Sequence, residues 1–227
     1  TATASVNDQG AEDTLQTPAN VLSIEQRDDE ILVPQTGGGV PSEPAFTLLP
    51  EGDDLSEIYP GADGPDDLSG SFYFGYDADN LYIRAEITDD THVAKSGEMM
   101  WQNDNIQYAA GIDGEYGPEY GASHVDGTTE TWRWVPGQAT QGLDSVTANT
   151  SRDDANNLTT YEITAPWETL FSESKGAGDS FNFSVQINGA DSEGSERETV
   201  LGWTLPGINR EKSYDELGRF HLEEPSA

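Results

Sequence analysis

Two alternating apolar segments joined by a short acidic turn most restrict the fold of this chain. In residues 71–76 every second residue is aromatic, and in residues 81–88 every second residue is aliphatic. The linker at 77–80 reads Asp-Ala-Asp-Asn. Side chains along a β-strand point alternately to its two faces, so each segment has one apolar face. The pattern therefore predicts a β-hairpin that buries one side.

Short segments of the same kind recur along the chain, separated by turns rich in Gly, Pro, Asn and Asp. We expect further strands at residues 21–25, 30–33, 45–49, 105–112, 131–135, 145–149, 159–164, 181–188, 198–203 and 218–222. The single predicted helix is one turn at 166–171, because proline is favoured at a helix start. About ten to twelve short strands with little helix predict an all-β chain, folded as a jelly-roll-like antiparallel β-sandwich.

The length of 227 residues fits a single domain. Residues 1–18 are small and polar without periodicity, so we expect a flexible N-terminal arm before a domain at 19–224. No apolar run reaches the length of about 20 residues that a transmembrane helix needs. The chain has no cysteine, which excludes disulfides and thiolate metal sites.

The charge balance restricts the partners. There are 43 acidic and 10 basic residues, giving a net charge of −33, and the acids are spread over the whole chain. Such a surface repels phosphate backbones and anionic lipids, so nucleic-acid and membrane roles are not expected. Dispersed acid with few lysines is typical of proteins in concentrated salt, where screening weakens self-repulsion. An ordinary acidic extracellular domain is the alternative.

No constellation in the sequence indicates catalysis. There is no cysteine, the three histidines lie in different contexts, and no Gly-x-Ser-x-Gly turn is present. With 43 acids, two neighbouring carboxylates are no evidence for a glycosidase. We therefore do not expect an enzyme. Acidic loop runs at 89–90, 113–115 and 191–193 leave a structural calcium open, without an assigned ligand set.

Aromatic and amide residues give a more specific signal. Trp101 lies directly before the strand predicted at 105–112, where it either caps the core or stacks on a sugar ring. On that strand Asn105 and Gln107 are opposite the apolar face, and the strand at 181–188 presents four polar residues in the same way. Planar amide side chains bind sugar hydroxyls well, because each amide both donates and accepts hydrogen bonds. The two strands therefore form either a polar floor for a sugar or a solvated sheet face.

Several segments together resemble the family 9 carbohydrate-binding modules and their wider superfamily. The segments are 74–83 with 87–90 (strand, Asp turn, Leu-Tyr, strand, Asp-Asp), 101–107 (Trp-Gln-Asn-Asp-Asn-Ile-Gln), 161–167, 183–188, Trp203 and 217–222. The resemblance is clear from residue 66 to 222. It implies an antiparallel β-sandwich that binds sugars between aromatic residues without catalysis.

The resemblance also implies a site. By motif position Trp101 matches the first stacking tryptophan and Gln107 a polar, usually acidic, residue on the next strand. Arg197 matches an arginine before the penultimate strand, and Asn209 an amide of the late loop. The second stacking tryptophan of that loop is missing, and Tyr214 is its candidate replacement.

Two further departures from the family pattern concern the middle of the chain. The arginine expected on the strand near residues 120–124 is missing. Trp132 and Trp134 alternate on either side of Arg133, and they are either core residues or a second platform.

We expect a non-catalytic module that stacks sugar rings of oligo- or polysaccharides on surface aromatics. It would be a monomer, extracellular or on the cell surface, in the secreted polysaccharide-degrading system of a halophile, tethered to a glycoside hydrolase or another catalytic domain. One alternative is a b-type haem electron-transfer subunit of the same superfamily, with Met99 or Met100 as an axial ligand. Another alternative is a structural cell-surface domain.

Overall fold

The computed structural model describes residues 30–50, 56–57, 61–135, 140–141, 145–192, 196–204, 208 and 212–224. The predicted arm at 1–18 and the predicted strand at 21–25 lie outside these residues. The described strands are β1 Ile31–Val33, β2 Phe46–Leu48, β3 Ser56–Glu57, β4 Leu68–Tyr76, β5 Asn80–Asp89, β6 Asn105–Ile112, β7 Glu115–Val125, β8 Thr128–Val135, β9 Thr140–Gln141, β10 Thr147–Asp153, β11 Leu158–Pro166, β12 Ser180–Gly189, β13 Thr199–Gly202 and β14 Gly218–Leu222. Helix α1 spans Trp167–Phe171, and 3₁₀ turns cover Gly97–Gln102 and Tyr214–Glu216.

Two sheets form a sandwich. The larger sheet has the order β1-β14-β12-β6-β7-β8-β9, with β13 paired to β12 and β3 to β13. The smaller sheet has the order β10-β11-β5-β4-β2. Among the described pairs of strands all are antiparallel except β1 with β14. The predicted all-β, antiparallel sandwich with little helix is confirmed.

The predicted hairpin is β4 and β5, which pair from Leu68↔Asp89 to Tyr76↔Leu81. Asp77 organises the turn, because its Oδ1 accepts the backbone N–H groups of Asp79 at 2.9 Å and Asn80 at 2.8 Å. Its Oδ2 accepts the Tyr82 hydroxyl at 2.6 Å. A carboxylate that satisfies its own turn is the usual reason for Asp at such positions.

The core lies between the sheets and is rich in phenylalanine. Phe74 of the smaller sheet meets Phe183 and Phe220 of the larger one edge-on, with ring centroids 6.3 and 5.0 Å apart. Gly70 permits close approach, since a Cβ there would lie 2.4 Å from Ile187 Cδ1. Edge-to-face aromatic pairs add to the stabilisation that burial of their area provides.

Strand β7 is central to the larger sheet, although its residue pattern does not predict it. Gly117, Pro118 and Gly121 interrupt any alternation. Tyr120 and Ala122 point into the core, whereas Glu119 and Ser123 occupy the opposite face. Pairing with β6 and β8 holds the strand in place. Its outer face becomes part of the site described below.

In the described part of the chain, no helix combines the length and apolar character needed to cross a membrane.

Candidate functional site

A network of buried amides covers the outer face of the larger sheet. Strands β6 and β12 bring Gln107 opposite Gln186 and Asn105 opposite Asn188. The Gln186 and Asn188 amides donate to Gln107 Oε1 at 2.6 and 2.8 Å, and Asn188 also donates to Asn105 Oδ1 at 2.9 Å. None of these four side chains, which we call the amide floor, belongs to a residue more than 4% exposed. The floor is therefore a packed polar network and not a solvated sheet face.

The first end of the amide floor carries Trp101 and Arg197. Arg197 Nη1 donates to Asn188 Oδ1 at 3.0 Å, and its Cζ lies over the Trp101 ring, 5.2 Å from the centroid. Both residues are half-buried. A guanidinium over an indole is a favourable cation–π arrangement. The structure thus brings together three residues that the sequence analysis selected: Trp101, Gln107 and Arg197.

The second end is built on Glu119, which the sequence analysis missed. This buried carboxylate accepts the Gln107 amide at 3.0 Å and the Tyr116 hydroxyl at 2.9 Å, and it pairs with the Lys212 ammonium. Lys212 Nζ also lies 5.6 Å from the Tyr116 ring centroid. Burial, and then the charge of Glu119, raise the pKa of Tyr116, so its hydroxyl stays a donor.

Glu119 explains a departure from the family pattern. The resemblance implies an acid at the position of Gln107, whereas here the acid stands on the neighbouring strand β7 and bonds to that glutamine. An unbroken hydrogen-bonded chain therefore runs from Arg197 through Asn188 and Gln107 to Glu119 and Lys212. Sequence patterns could not show this exchange, because it depends on pairing between β6 and β7.

One acceptor in the amide floor is unused. Gln186 Oε1 is buried and accepts no hydrogen bond from the residues that the structure describes, while its Nε2 donates to Gln107 and, at 3.2 Å, to Asn188 Oδ1. Leaving a buried acceptor unsatisfied costs on the order of 1–3 kcal/mol. A ligand hydroxyl would satisfy this atom.

Tyr214 lies on the same sheet face but farther along it. Its ring packs over Gly111, where a Cβ would lie 2.5 Å from the ring, and Asn182 Nδ2 donates to its carbonyl at 3.4 Å. Gly111 pairs with Asn182, six residues along β12 from Asn188. At about 3.3 Å per residue this is roughly 20 Å from the Arg197 end. Asn209 lies outside the described residues.

The second pair of aromatics, Trp132 and Trp134, lies against the 3₁₀ turn that contains Trp101. Trp134 Nε1 donates to the Glu98 carbonyl at 3.1 Å, so the 3₁₀ turn packs on β8. A Cβ on Gly121 would lie 2.6 Å from Trp134 Cη2 and 3.1 Å from Met100 Sδ. Met100 is fully buried there, so packing accounts for it, whereas Met99 is 45% exposed.

A buried polar cluster anchors the loop that carries Trp101. Asp104 Oδ1 accepts the Ala190 N–H at 2.8 Å, and its Oδ2 accepts the Val93 N–H and lies 3.4 Å from His92 Nδ1. His92 Nε2 is 2.8 Å from the His124 carbonyl. Burial, reinforced by the neighbouring Asp89 charge, raises the pKa of Asp104 well above its usual range.

Among the residues that the structure describes, two groups of side chains could hold a cation. In each, ligand atoms lie within 4.8 Å of one another: Asp89, His92 and Asp104 in one, and Asp67, Asp90 and Asp191 in the other. The second group has only carboxylate oxygens, the ligands that calcium prefers. It unites two of the predicted acidic runs, whereas the run at 113–115 lies at the β6–β7 turn.

Fold and site thus define a β-sandwich with a polar, aromatic-flanked sheet face. A family model described as "Carbohydrate family 9 binding domain-like" matches residues 54–224, and the chain belongs to this family. The family consists of non-catalytic carbohydrate-binding modules, so the chain is a binding module and not an enzyme. Comparison of the sequence with curated proteins finds no match.

The solved structures with a similar fold include two complexes of family 9 modules. A family 9 carbohydrate-binding module from Caldicellulosiruptor kristjanssonii in complex with cellotriose is 16% identical, with a TM-score of 0.58 over 87% of this chain and 95% of that one. The complex of such a module from that organism with glucose is 17% identical, with a TM-score of 0.56 over 87% and 97%.

Proposed function

We propose that the amide floor and its two ends bind the pyranose rings of an oligo- or polysaccharide. The observation that carries this proposal is the buried, unsatisfied acceptor of Gln186 within a network of planar amides. Sugar hydroxyls donate to such acceptors and accept from amide N–H groups. Trp101, half-buried beside Arg197, supplies the apolar contact for the face of a ring.

The side chains of Arg197 and Lys212 affect how a ligand reaches the amide floor. Arg197 bonds to Asn188 at one end of the floor, and Lys212, whose side chain is 46% exposed, pairs with Glu119 at the other end. Both side chains are long and flexible, so they can swing aside and then bond to the sugar. Stacking and a few hydrogen bonds, at about 1 kcal/mol each, give micromolar to millimolar affinity.

The structures with similar folds guide the choice of ligand. They hold cellotriose and glucose. We therefore place neutral gluco-configured oligosaccharides first among the candidates. Within this proposal the chain acts as a monomer in a secreted polysaccharide-degrading system of a halophile, where tethering to a catalytic domain raises the local enzyme concentration on the substrate.

A structural calcium is part of the same proposal. The carboxylates of Asp67, Asp90 and Asp191 converge from three loops, and all offer oxygen ligands. Burial and the charges of Asp67 and Glu198 raise the pKa of Asp191 to about 6, which reflects the repulsion that a cation would relieve. The ion would join loops at one end of the sandwich and take no part in contacting sugar.

Titration calorimetry in molar salt with cello-, xylo-, manno- and uronate oligosaccharides tests the proposal. We expect binding to one class, a loss of about tenfold or more in Trp101→Ala and of about fivefold in Gln186→Leu. Asn182→Ala is the matched control, because Asn182 lies on the same face of β12 beside Tyr214. It should bind as the wild type does. Absence of heat with every glycan would overturn the proposal.

A further inference from the structure

A ring seated on the amide floor has Trp101 on one side, and the structure indicates what faces it on the other. The sequence offers Tyr214, Trp132 and Trp134 for this role. Tyr214 packs over Gly111, four residues along β6 from Gln107 and therefore about 13 Å away. Gly111 pairs with Tyr116, so Tyr214 lies beside the second end of the floor and not beside Trp101.

The second aromatic side chain next to the amide floor lies over Gly121. Gly121 pairs with Gln107 across β6 and β7, so the two residues share a sheet face. Glycine has no side chain, and the space above it is filled by Trp134, whose Cη2 and Cζ3 would lie 2.6 and 2.7 Å from a Cβ there. The edge of the Trp134 ring is thus directly beside the amide floor, over a strand where the family pattern places an arginine.

A β-bulge aims Trp134 at this position. In the β7–β8 ladder Glu119 pairs with Val135 and Tyr120 with Arg133, which leaves Trp134 as the extra residue. Bulges redirect side chains in this way, often next to binding sites. The Nε1 bond to the Glu98 carbonyl then fixes the indole. Trp134 is half-buried, so the residue is not fully enclosed by the protein.

Met100 links the two tryptophans. Its sulfur would lie 3.1 Å from a Cβ on Gly121, next to the Trp134 ring, and Trp101 is the following residue. Met100 therefore connects Trp101, its neighbour in the sequence, with Trp134, its neighbour over Gly121, and Gln107 pairs with Gly121. Trp132 is held differently: its Cζ3 would lie 3.8 Å from a Cβ on Gly97, under the start of the 3₁₀ turn.

We propose that Trp134 is the second aromatic contact of the sugar site and takes the place of the missing late-loop tryptophan. A pyranose ring on Gln107 and Gln186 contacts Trp101 and Trp134 together. This inference rests on the proposed function and adds to it the residue that completes the site. Because Trp134 belongs to strand β8 and not to a loop, its position is fixed before the ligand arrives.

Fluorine NMR with 5-fluorotryptophan tests the contact without altering the fold. The protein has five tryptophans, so five resonances are assigned by single Trp→Phe variants. The probe is the oligosaccharide class that gives heat with the wild type. We expect the Trp101 and Trp134 resonances to shift with ligand and the Trp132 resonance to stay. A shift at Trp101 with none at Trp134 would overturn the inference and leave the proposed function standing.

Affinity measurements provide the second readout. We expect Trp134→Leu to weaken binding about tenfold and Trp134→Phe, which keeps a ring, by threefold or less. Trp132→Leu, the matched control, should change the affinity by less than about twofold. Equal losses in Trp134→Leu and Trp132→Leu would contradict the inference. Wild-type protein that binds no glycan would instead refute the proposed function itself, and this inference with it.

Discussion

The side chains of the amide floor match hydrogen-bond donors with acceptors. An amide offers both donors and acceptors, so Gln107 can accept from two neighbours while it donates to Glu119. Glu119 is the buried carboxylate of this network, and its burial is tolerated because three donors, one of them the Lys212 ammonium, surround it. Removing one partner of such a pair would leave a buried charge uncompensated.

The Asp104 side chain stabilises the segments that carry Val93 and Ala190. Its carboxylate satisfies the buried backbone N–H of Ala190 and also that of Val93. Asp104→Ala leaves both donors without this acceptor and should lower the free energy of unfolding by about 2–4 kcal/mol. Urea denaturation in molar salt measures this change. The exposed Asp66→Ala is the control and should keep the wild-type midpoint. An unchanged midpoint in Asp104→Ala would refute the anchoring role.

At the scale of elements, function depends on where strands and loops end. Strand β5 ends at Asp89, β12 at Gly189 and the 3₁₀ turn at Gln102, and these ends meet around Asp104. A sandwich provides the rigid frame, and its loops and edges carry the variable chemistry. The loop bearing Trp101 is fixed at this junction, so stability and binding are coupled through it.

The neighbouring carboxylates of Asp67, Asp90 and Asp191 should make the stability of the fold depend on pH and on calcium. The pKa of Asp191 is raised to about 6, above its usual value of 3.8. The folded state therefore binds this proton more tightly than the unfolded chain, and the resulting stability is present below about pH 4 and lost as the pH rises through 6. We expect millimolar Ca²⁺ to raise the melting temperature at pH 7 and to have little effect near pH 4.

Two variants isolate this group. Asp191→Asn should flatten the dependence of the melting temperature on pH between 4 and 7 and remove the calcium response. Asp113→Asn alters another acidic turn that the sequence offered for calcium, and should behave as the wild type does. Scanning fluorimetry at constant ionic strength records both. A wild-type calcium response in Asp191→Asn would exclude this group as the ligand set.

At the scale of the whole molecule, charge dominates. A net charge of −33 on 227 residues destabilises a compact state through self-repulsion, since the acids are spread over the chain. Salt shortens the screening length from about 10 Å at 0.1 M to about 3 Å at 1 M. We therefore expect the melting temperature to rise from about 0.1 to 2 M KCl. A flat response would refute the expected adaptation to salt.

Chloride is the appropriate salt, because sulfate stabilises proteins by exclusion from their surface and would confuse the result. Replacement of the exposed acids Asp66, Glu115 and Asp126 by their amides provides the control. This variant should need less KCl to reach the same melting temperature. All three residues are exposed, so sugar affinity should not change.

The sequence alone determined the fold class and most strands, because apolar alternation and turn residues act locally. β6 and β14 have the predicted bounds, and the hairpin β4–β5 is longer than predicted because Leu68 and Asp89 still pair beyond the alternating stretch. Trp101, Gln107 and Arg197 were selected by the order of motifs along the chain. The family followed from that order as well, since spacing between motifs is a property of the sequence.

Only the tertiary structure decided how the site is completed. Glu119 and Lys212 lie 93 positions apart, and they meet through strand pairing and a late loop that no local pattern encodes. Trp134 reaches the amide floor because a bulge shifts the register and Gly121 leaves room above β7. Tyr214, the obvious replacement by sequence, lies elsewhere because distance along a sheet depends on register. Contacts between remote segments are set by packing of the whole sandwich, and residue pattern alone does not carry that information.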